Sequence, residues 1–258
     1  GTVQGLTEFF PISSSGHLII LHKLMDLPIK NEVVFDVILH LATLAAVVYF
    51  FRTDIFHLLA GWFASLSGKV NYEGKLAWLI ILATLPAAII GAIFGDFIES
   101  AFRSDIIVAL MLAGVGALFI VFEKISRQTD ELESINWKKS LVVGLAQIFS
   151  FVPGVSRSGI TIIAGLGADL KREAAVRFSF LISIPIILAA SIKEAPKIFE
   201  AGFVAREFII LTIAFLAALI SGFLAIKYFL RFSKKISLNI FAYYRFILAA
   251  LIIISLFF

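Results

Sequence analysis

Long apolar segments recur along the chain, separated by short stretches of charged and turn-forming residues. A helix needs about 20 mainly apolar residues to cross the roughly 30 Å hydrocarbon core of a membrane. Six segments approach or exceed that length, and each is bounded by charges or turn residues. They are 33–51, 75–95, 105–122, 173–191, 207–229 and 238–258. The pattern therefore predicts six transmembrane helices.

Two further apolar segments are interrupted, one at 11–17 and the other at 153–161. In each, a Pro/Ser/Gly break separates two apolar stretches that are too short to span a bilayer, which is typical of a re-entrant helical hairpin. The alternation expected of a membrane β-barrel is absent. The predicted fold class is therefore an all-α polytopic membrane protein with six transmembrane helices plus two re-entrant helical hairpins.

The two interrupted segments resemble each other. Gly-Leu-Thr-Glu-Phe-Phe at 5–10 parallels Gly-Leu-Ala-Gln-Ile-Phe at 144–149, and Ser-Ser-Ser-Gly at 13–16 parallels Ser-Arg-Ser-Gly at 156–159. This parallel predicts an inverted repeat, with 1–123 and 138–258 each holding one hairpin and three spanning helices. Lys and Arg are about twice as frequent in the loops on the side of the linker 124–137, which predicts a cytoplasmic linker.

Composition agrees with a membrane protein, since 60% of the residues are hydrophobic and only 16% are charged. Net charge is +4, from 22 basic and 18 acidic residues, and the excess marks cytoplasmic loops rather than nucleic-acid binding. There is no cysteine, which excludes disulfides, thiolate metal sites and a cysteine nucleophile. The chain opens at Gly1 within an apolar helical pattern and without Met, so we expect N-terminal residues to be missing.

The first break carries candidate chemistry in Ser13, Ser14, Ser15 and His17. Backbone N–H groups at the start of the following helix, together with the serine hydroxyls, can hold an anion. The serines would alternatively only cap a helix beginning near Gly16. His17 is a functional candidate because an ionisable ring within a membrane needs a partner, although a structural histidine is the alternative.

Charged residues near the breaks complement these hydroxyls. Gln4 and Glu8 are four residues apart and so share one helix face, where Glu8 needs a cation or a proton. In the second break Arg157 lies between Ser156 and Ser158, and its planar guanidinium suits phosphate oxygens. The alternative role for Arg157 is a structural ion pair with Glu8.

Three other groups are weaker candidates. Asp36 and His40 are also four residues apart and could line a cavity, hold a metal or pair with each other, the last being preferred. His22 is expected at the membrane interface in a solvated position. Tyr244 and Arg245 are expected to anchor or pack the last helix.

Two motifs then point to a known family. Gln-Gly-Leu-Thr-Glu at 4–8 followed by Pro-Ile-Ser-Ser-Ser-Gly-His at 11–17, and Pro-Gly-Val-Ser-Arg-Ser-Gly-Ile-Thr at 153–161, resemble the undecaprenyl-pyrophosphate phosphatase family, also called the bacitracin-resistance family. Similarity continues through 84–86, 178–185 and 244–245. The resemblance implies a multi-pass protein of the bacterial plasma membrane that removes the terminal phosphate of the polyprenyl diphosphate carrier used in cell-wall synthesis, thereby conferring bacitracin resistance.

The resemblance also implies site residues and a cofactor. Ser14, His17 and Glu8 would be catalytic, and Glu8 and Gln4 would bind Mg²⁺ or another divalent cation such as Ca²⁺. The substrate-binding set would be Gln4, Ser13, Ser15, Ser156, Arg157, Ser158 and Thr161. Two positions depart from the family, since Ser15 replaces a frequent threonine and His40 a frequent glutamine.

We hypothesise that Ser14 attacks the terminal phosphorus with His17 as base, a nucleophilic His17 being the alternative. Glu8, helped by Gln4, would orient His17 or hold the metal. A transporter or flippase of a polyprenyl-phosphate lipid is the competing class, because broken helices in inverted repeats are common in transporters. A membrane scaffold without chemistry is a third. Membrane lipids are expected partners, and the sequence allows a homodimer.

Overall fold

The computed structural model describes residues 1–24, 32–69, 71–200 and 205–257. Its regular structure there is helical, and an isolated bridge between Asp130 and Leu170 is the one β-type pairing among the described residues. The helices are α1 Thr2–Phe9, α2 Ser14–Leu24, α3 Glu32–Phe50, α4 Arg52–Leu66, α5 Tyr72–Ala101, α6 Asp105–Ile125, α7 Trp137–Gln147, α8 Arg157–Gly167, α9 Arg172–Glu200, α10 Ala205–Ser233 and α11 Asn239–Ser255. Two short 3₁₀ turns lie at Leu132–Ser134 and Ile148–Phe151.

Five helices, α3, α5, α6, α9 and α10, are long and apolar enough to cross a membrane. They coincide with five of the six predicted spans, so the prediction of an all-helical, multi-pass membrane protein is confirmed. The remaining predicted span corresponds to α11, an apolar helix of 17 residues that is shorter than the other five. Residue 258, the last of that predicted span, lies outside the described residues.

Helix α4 was not predicted, because its 15 residues are too few to span a bilayer. It packs along the first half of α5, and the two backbones approach closely where Gly61 faces Gly74. A Cβ atom on Gly61 would lie 2.6 Å from the backbone nitrogen of Gly74. Phe56 and Phe63 on α4 are 69% and 60% exposed, which suits a surface in contact with lipid.

The short helices pack crosswise between the two halves of the chain. Helix α1 lies against α10, α7 lies against α5, and α6 packs against α11. Equivalent glycines permit the first two contacts: a Cβ on Gly5 would lie 2.5 Å from the Ala218 carbonyl oxygen, and a Cβ on Gly144 would lie 2.6 Å from that of Ala83. The two contacts are similar, and the inverted repeat with its boundaries at 1–123 and 138–258 stays a prediction.

Gly5→Ala should destabilise the fold, because the added methyl group meets backbone atoms of α10 that cannot rotate away. We expect a loss of about 1–3 kcal/mol, the usual range for overpacking a tight interior. Thermal unfolding in detergent or lipid nanodiscs would measure it. Gly114→Ala is the matched control, since a Cβ there has nothing within 4 Å. Equal melting temperatures for the two variants would contradict the close contact.

The hydrophilic linker after α6 is held by partly or fully exposed ion pairs. Lys139 donates to Asp130 and lowers the pKa of that carboxyl group, with a smaller contribution from Thr129. Lys171 donates to Glu131, which raises the pKa of the lysine. Such exposed pairs contribute little stability, so this region connects the halves without adding to the site.

Candidate active site

The two breaks share one backbone geometry. Helix α2 begins at Ser14 and α8 at Arg157, and the preceding residues, Ser13 and Ser156, both have φ of 73°. Each of these serines caps its helix: the Gly16 N–H donates to Ser13 Oγ at 3.2 Å, and the Gly159 N–H donates to Ser156 Oγ at 3.2 Å. Positive φ is strained for residues other than glycine and persists only where surrounding contacts enforce it.

Four of the predicted substrate-binding hydroxyls are bonded within the protein. Ser13 and Ser156 serve as helix caps, a role that the alternative interpretation had proposed for the serines of the first break. Ser158 donates to the Phe10 carbonyl at 3.3 Å, and Thr161 donates to the Arg157 carbonyl at 2.8 Å. All four residues are buried. Ser158 therefore joins the two breaks and the other three hydroxyls stabilise their own segments, whereas Ser14 and Ser15 are more accessible.

Glu8 lies where the two breaks meet. Its Oε1 accepts from Arg157 Nη2 at 2.7 Å, and its Oε2 accepts from Ser14 Oγ at 2.9 Å and from Gln4 Nε2 at 3.0 Å. Its side chain is only 6% exposed. The structural ion pair considered for Arg157 thus exists. Its carboxylate, that of Glu8, also accepts a hydrogen bond from the Ser14 hydroxyl.

Two polar atoms in this cluster are buried without a hydrogen-bond partner. They are Arg157 Nη1, a donor, and Gln4 Oε1, an acceptor. A buried polar group without a partner is energetically costly, so these two atoms are candidates to bind a ligand. The donor suits an anion and the acceptor suits a cation. The cluster could therefore bind a phosphate group together with its counter-ion.

The hydrogen bonds of His17 fix its tautomer. Its Nδ1 lies 2.7 Å from the Ser13 carbonyl oxygen, which only accepts, so Nδ1 carries the proton. In the neutral ring Nε2 then holds the lone pair, and the Tyr244 hydroxyl donates to it at 2.7 Å. The expected pairing of Ser14 with His17 is replaced by the bond from Ser14 to Glu8.

Arg245 is the main residue that the sequence analysis underestimated. It is fully buried and lies next to both breaks. Its guanidinium donates to five carbonyl oxygens, those of Leu112, Pro11, Met111, Gly154 and Val155, at 2.8–3.3 Å. Pro11 lies two residues before Ser13, and Gly154 and Val155 are the two residues before Ser156. Its role is therefore to hold the breaks together, beyond packing the last helix.

The cluster on α3 also differs from expectation. Asp36 and His40 do touch, but the contact runs from His40 Nδ1 to the backbone carbonyl of Asp36 at 2.8 Å. The Asp36 carboxylate instead pairs with His22 at 3.1 Å, and the His22 side chain is 9% exposed rather than solvated. His40 Nε2 lies 3.7 Å from Glu8 Oε2, which places this ring beside the site.

A divalent cation would find few protein ligands here. Among the described residues no group of three or more His, Asp and Glu side chains could hold a metal. The oxygens that fit are Gln4 Oε1, which lacks a donor, and the neighbouring Glu8 carboxylate. Mg²⁺ commonly binds through one or two protein oxygens and completes its shell with water and substrate phosphates, so the two residues are compatible with such an ion.

Comparison with known proteins agrees with this architecture. The family model described as Bacitracin resistance protein BacA matches residues 1–251. The chain is 44% identical over 256 residues to an undecaprenyl-diphosphatase of Rubrobacter xylanophilus, covering 98% of this chain and 94% of that one. It is 41% identical over 256 residues to undecaprenyl-diphosphatase 2 of Stutzerimonas stutzeri, with the same two coverages. It is 42% identical over 254 residues to the Caldicellulosiruptor bescii undecaprenyl-diphosphatase, again covering 98% and 94%. The chain therefore belongs to the bacitracin resistance protein BacA family.

Proposed function

We propose that this protein is an integral membrane phosphatase that hydrolyses undecaprenyl diphosphate to undecaprenyl phosphate and inorganic phosphate. The monophosphate is the lipid carrier of bacterial cell-wall synthesis, so the reaction recycles that carrier and accounts for bacitracin resistance. The observation that carries the proposal is the contact of Glu8 with Ser14 from one break and Arg157 from the other. The names of the full-length relatives support the same substrate.

In the first step, Ser14 Oγ attacks the terminal phosphorus and its proton passes to Glu8. This base is supported by the 2.9 Å hydrogen bond from Ser14 to Glu8, and Glu8 takes the role that we predicted for His17. The bond from phosphorus to the bridging oxygen breaks, and undecaprenyl phosphate leaves. Arg157 Nη1 and the N-terminal amides of α2 and α8 face the increasing negative charge, which they stabilise.

In the second step, water attacks the phosphoserine and its proton passes towards His17. The bond from phosphorus to Ser14 Oγ breaks, and the Ser14 oxygen recovers a proton from Glu8. The His17 ring suits this role because its Nδ1–H is fixed by the Ser13 carbonyl, which leaves the lone pair of Nε2 to accept a proton. Inorganic phosphate is then released.

A divalent cation such as Mg²⁺, bound through Gln4 Oε1 and Glu8, would neutralise diphosphate charge. Gln4→Leu should therefore raise the Mg²⁺ concentration needed for half-maximal phosphate release by about tenfold or more. Titration of Mg²⁺ after chelation would measure it, with Gln128→Leu in the linker as control. An unchanged requirement would remove Gln4 from the cation site.

The finer topology also belongs to this proposal. We place α11 as the sixth spanning helix, treat α1–α2 and α7–α8 as hairpins that enter from opposite sides, and assign the linker to the cytoplasmic side. The prenyl chain would then lie along lipid-facing helices while its diphosphate reaches the breaks. The membrane is the bacterial plasma membrane.

Phosphate release from undecaprenyl diphosphate by the purified protein tests the proposed function. Ser14→Ala should lower the rate at least about a hundredfold, since covalent catalysis needs its oxygen. Ser100→Ala, an exposed serine on α5, should leave the rate unchanged. Full activity of Ser14→Ala would refute the assigned nucleophile, and lipid translocation without phosphate release would favour the transporter.

A further inference from the structure

Helix α11 contributes a side chain to the site that neither break contains. The Tyr244 hydroxyl lies 2.7 Å from His17 Nε2, and the two rings stack at 12° with centroids 5.7 Å apart. Tyr244 is 43% exposed, so its oxygen is accessible from outside the protein core. The pair therefore combines an imidazole of fixed orientation with an accessible hydroxyl group.

The hydrogen-bond directions in this pair follow from the chemistry of each atom. A neutral imidazole has one N–H and one lone pair. The Ser13 carbonyl takes the N–H at Nδ1, so the Tyr244 O–H occupies the single lone pair at Nε2. The ring has no other free acceptor position, so a proton that is transferred to His17 must pass through the Tyr244 oxygen.

We infer that Tyr244 and His17 form a proton relay for the second step of the reaction, an inference that rests on the proposed function. The attacking water gives its proton to Tyr244 Oη while the Tyr244 proton moves to His17 Nε2. The water oxygen bonds to phosphorus as the bond from phosphorus to Ser14 Oγ breaks. Tyr244 ends the step neutral, and His17 holds the extra proton until it returns to solvent.

The surroundings of His17 favour this route over a direct one. Ser14, the hydroxyl that precedes it on α2, already donates to Glu8. Next to His17 on α2, Gly16 faces the apolar side chain of Val108 on α6. From α11 the charged neighbour is Arg245, which interacts electrostatically with His17 and donates its own hydrogen bonds to carbonyls. Tyr244 is thus the group positioned to exchange a proton with the ring.

Tyr244→Phe should slow steady-state phosphate release by roughly tenfold to a hundredfold, within the range of general base catalysis. Because the first step uses Glu8, the variant should still form the phosphoenzyme and accumulate it. Acid-quenched protein given undecaprenyl diphosphate would therefore carry phosphate on Ser14, detectable by mass spectrometry. His17→Ala should accumulate the same species, and the double variant should be no slower than His17→Ala alone.

Three comparisons make the result decisive. Tyr243→Phe is the matched control, since Tyr243 is 58% exposed and points about 100° away around the same helix. Ser14→Ala with Tyr244→Phe should carry no phosphate. The relay is overturned if Tyr244→Phe releases phosphate as fast as Tyr243→Phe, or is slow without accumulating phosphoserine. Absence of phosphate release by the unaltered protein would instead refute the proposed function.

Discussion

Glu8→Gln should reduce phosphate release by about 10²–10⁴-fold, because the variant loses the base that accepts the Ser14 proton. It should also destabilise the protein by about 3 kcal/mol, since Arg157, only 11% exposed, loses its carboxylate partner. Initial rates with undecaprenyl diphosphate and thermal unfolding in nanodiscs would measure the two effects. Both arise from one side chain because Glu8 joins the breaks.

The double variant Glu8→Gln with Arg157→Gln separates the two effects. Removing both charges leaves no unpaired buried ion, so much of the stability should return while the rate stays low. Glu8→Asp is a second comparison, since it keeps the charge and shortens the reach to Ser14. If the double variant recovered activity together with stability, Glu8 would be structural and the chemistry would lie elsewhere.

Arg245→Met should cost about 3 kcal/mol or more of stability and at least about a hundredfold in rate. Three of the five carbonyl oxygens, those of Pro11, Gly154 and Val155, lie outside the helices and would lose their donor. Unsatisfied buried groups cost about 1–3 kcal/mol each, less any that find water. The strained serines at both breaks would relax, and a displacement of about 1 Å at a catalytic group can reduce rate a hundredfold. Unfolding and turnover in nanodiscs would measure both.

A conservative variant of Arg245 and a variant of a distant cation serve as comparisons for Arg245→Met. Arg245→Lys keeps the charge but presents a single ammonium group, which cannot reach carbonyls on three sides, so its rate should also fall. Lys227→Met, an exposed cation on α10, should change neither quantity. Wild-type stability and turnover in Arg245→Lys would show that the charge alone matters and that the carbonyl contacts do not.

The spanning helices could be predicted because lipid imposes a length requirement that can be counted in the sequence. Helix α4 could not, since its apolar residues are too few to span and its position depends on the close contact of Gly61 with Gly74. The short α11 lies at the limit of the same criterion. Length therefore identified the helices that are long enough to cross a membrane and overlooked α4, which is too short.

The charged centre of the site could be predicted in part. Glu8 and Arg157 are 149 residues apart, yet each is a charge in an apolar setting that needs a partner. The partners of Arg245 are backbone carbonyls up to 234 residues away, and a carbonyl has no signature in a sequence. The contribution of Tyr244 to the site was missed for a related reason. It depends on the tautomer of the His17 ring, which is 227 residues away in the sequence.

The position of Arg245 and Tyr244 on the final helix has a consequence for biosynthesis. Residues 1–238, once translated and inserted, hold both breaks but lack the guanidinium and the hydroxyl that complete them. The crosswise packing of α1 on α10 and α7 on α5 likewise means that neither half can bury its short helix alone. We therefore expect a chain that stops before α11 to be inactive, because a ribosome stalled at that point would leave both breaks without these two groups.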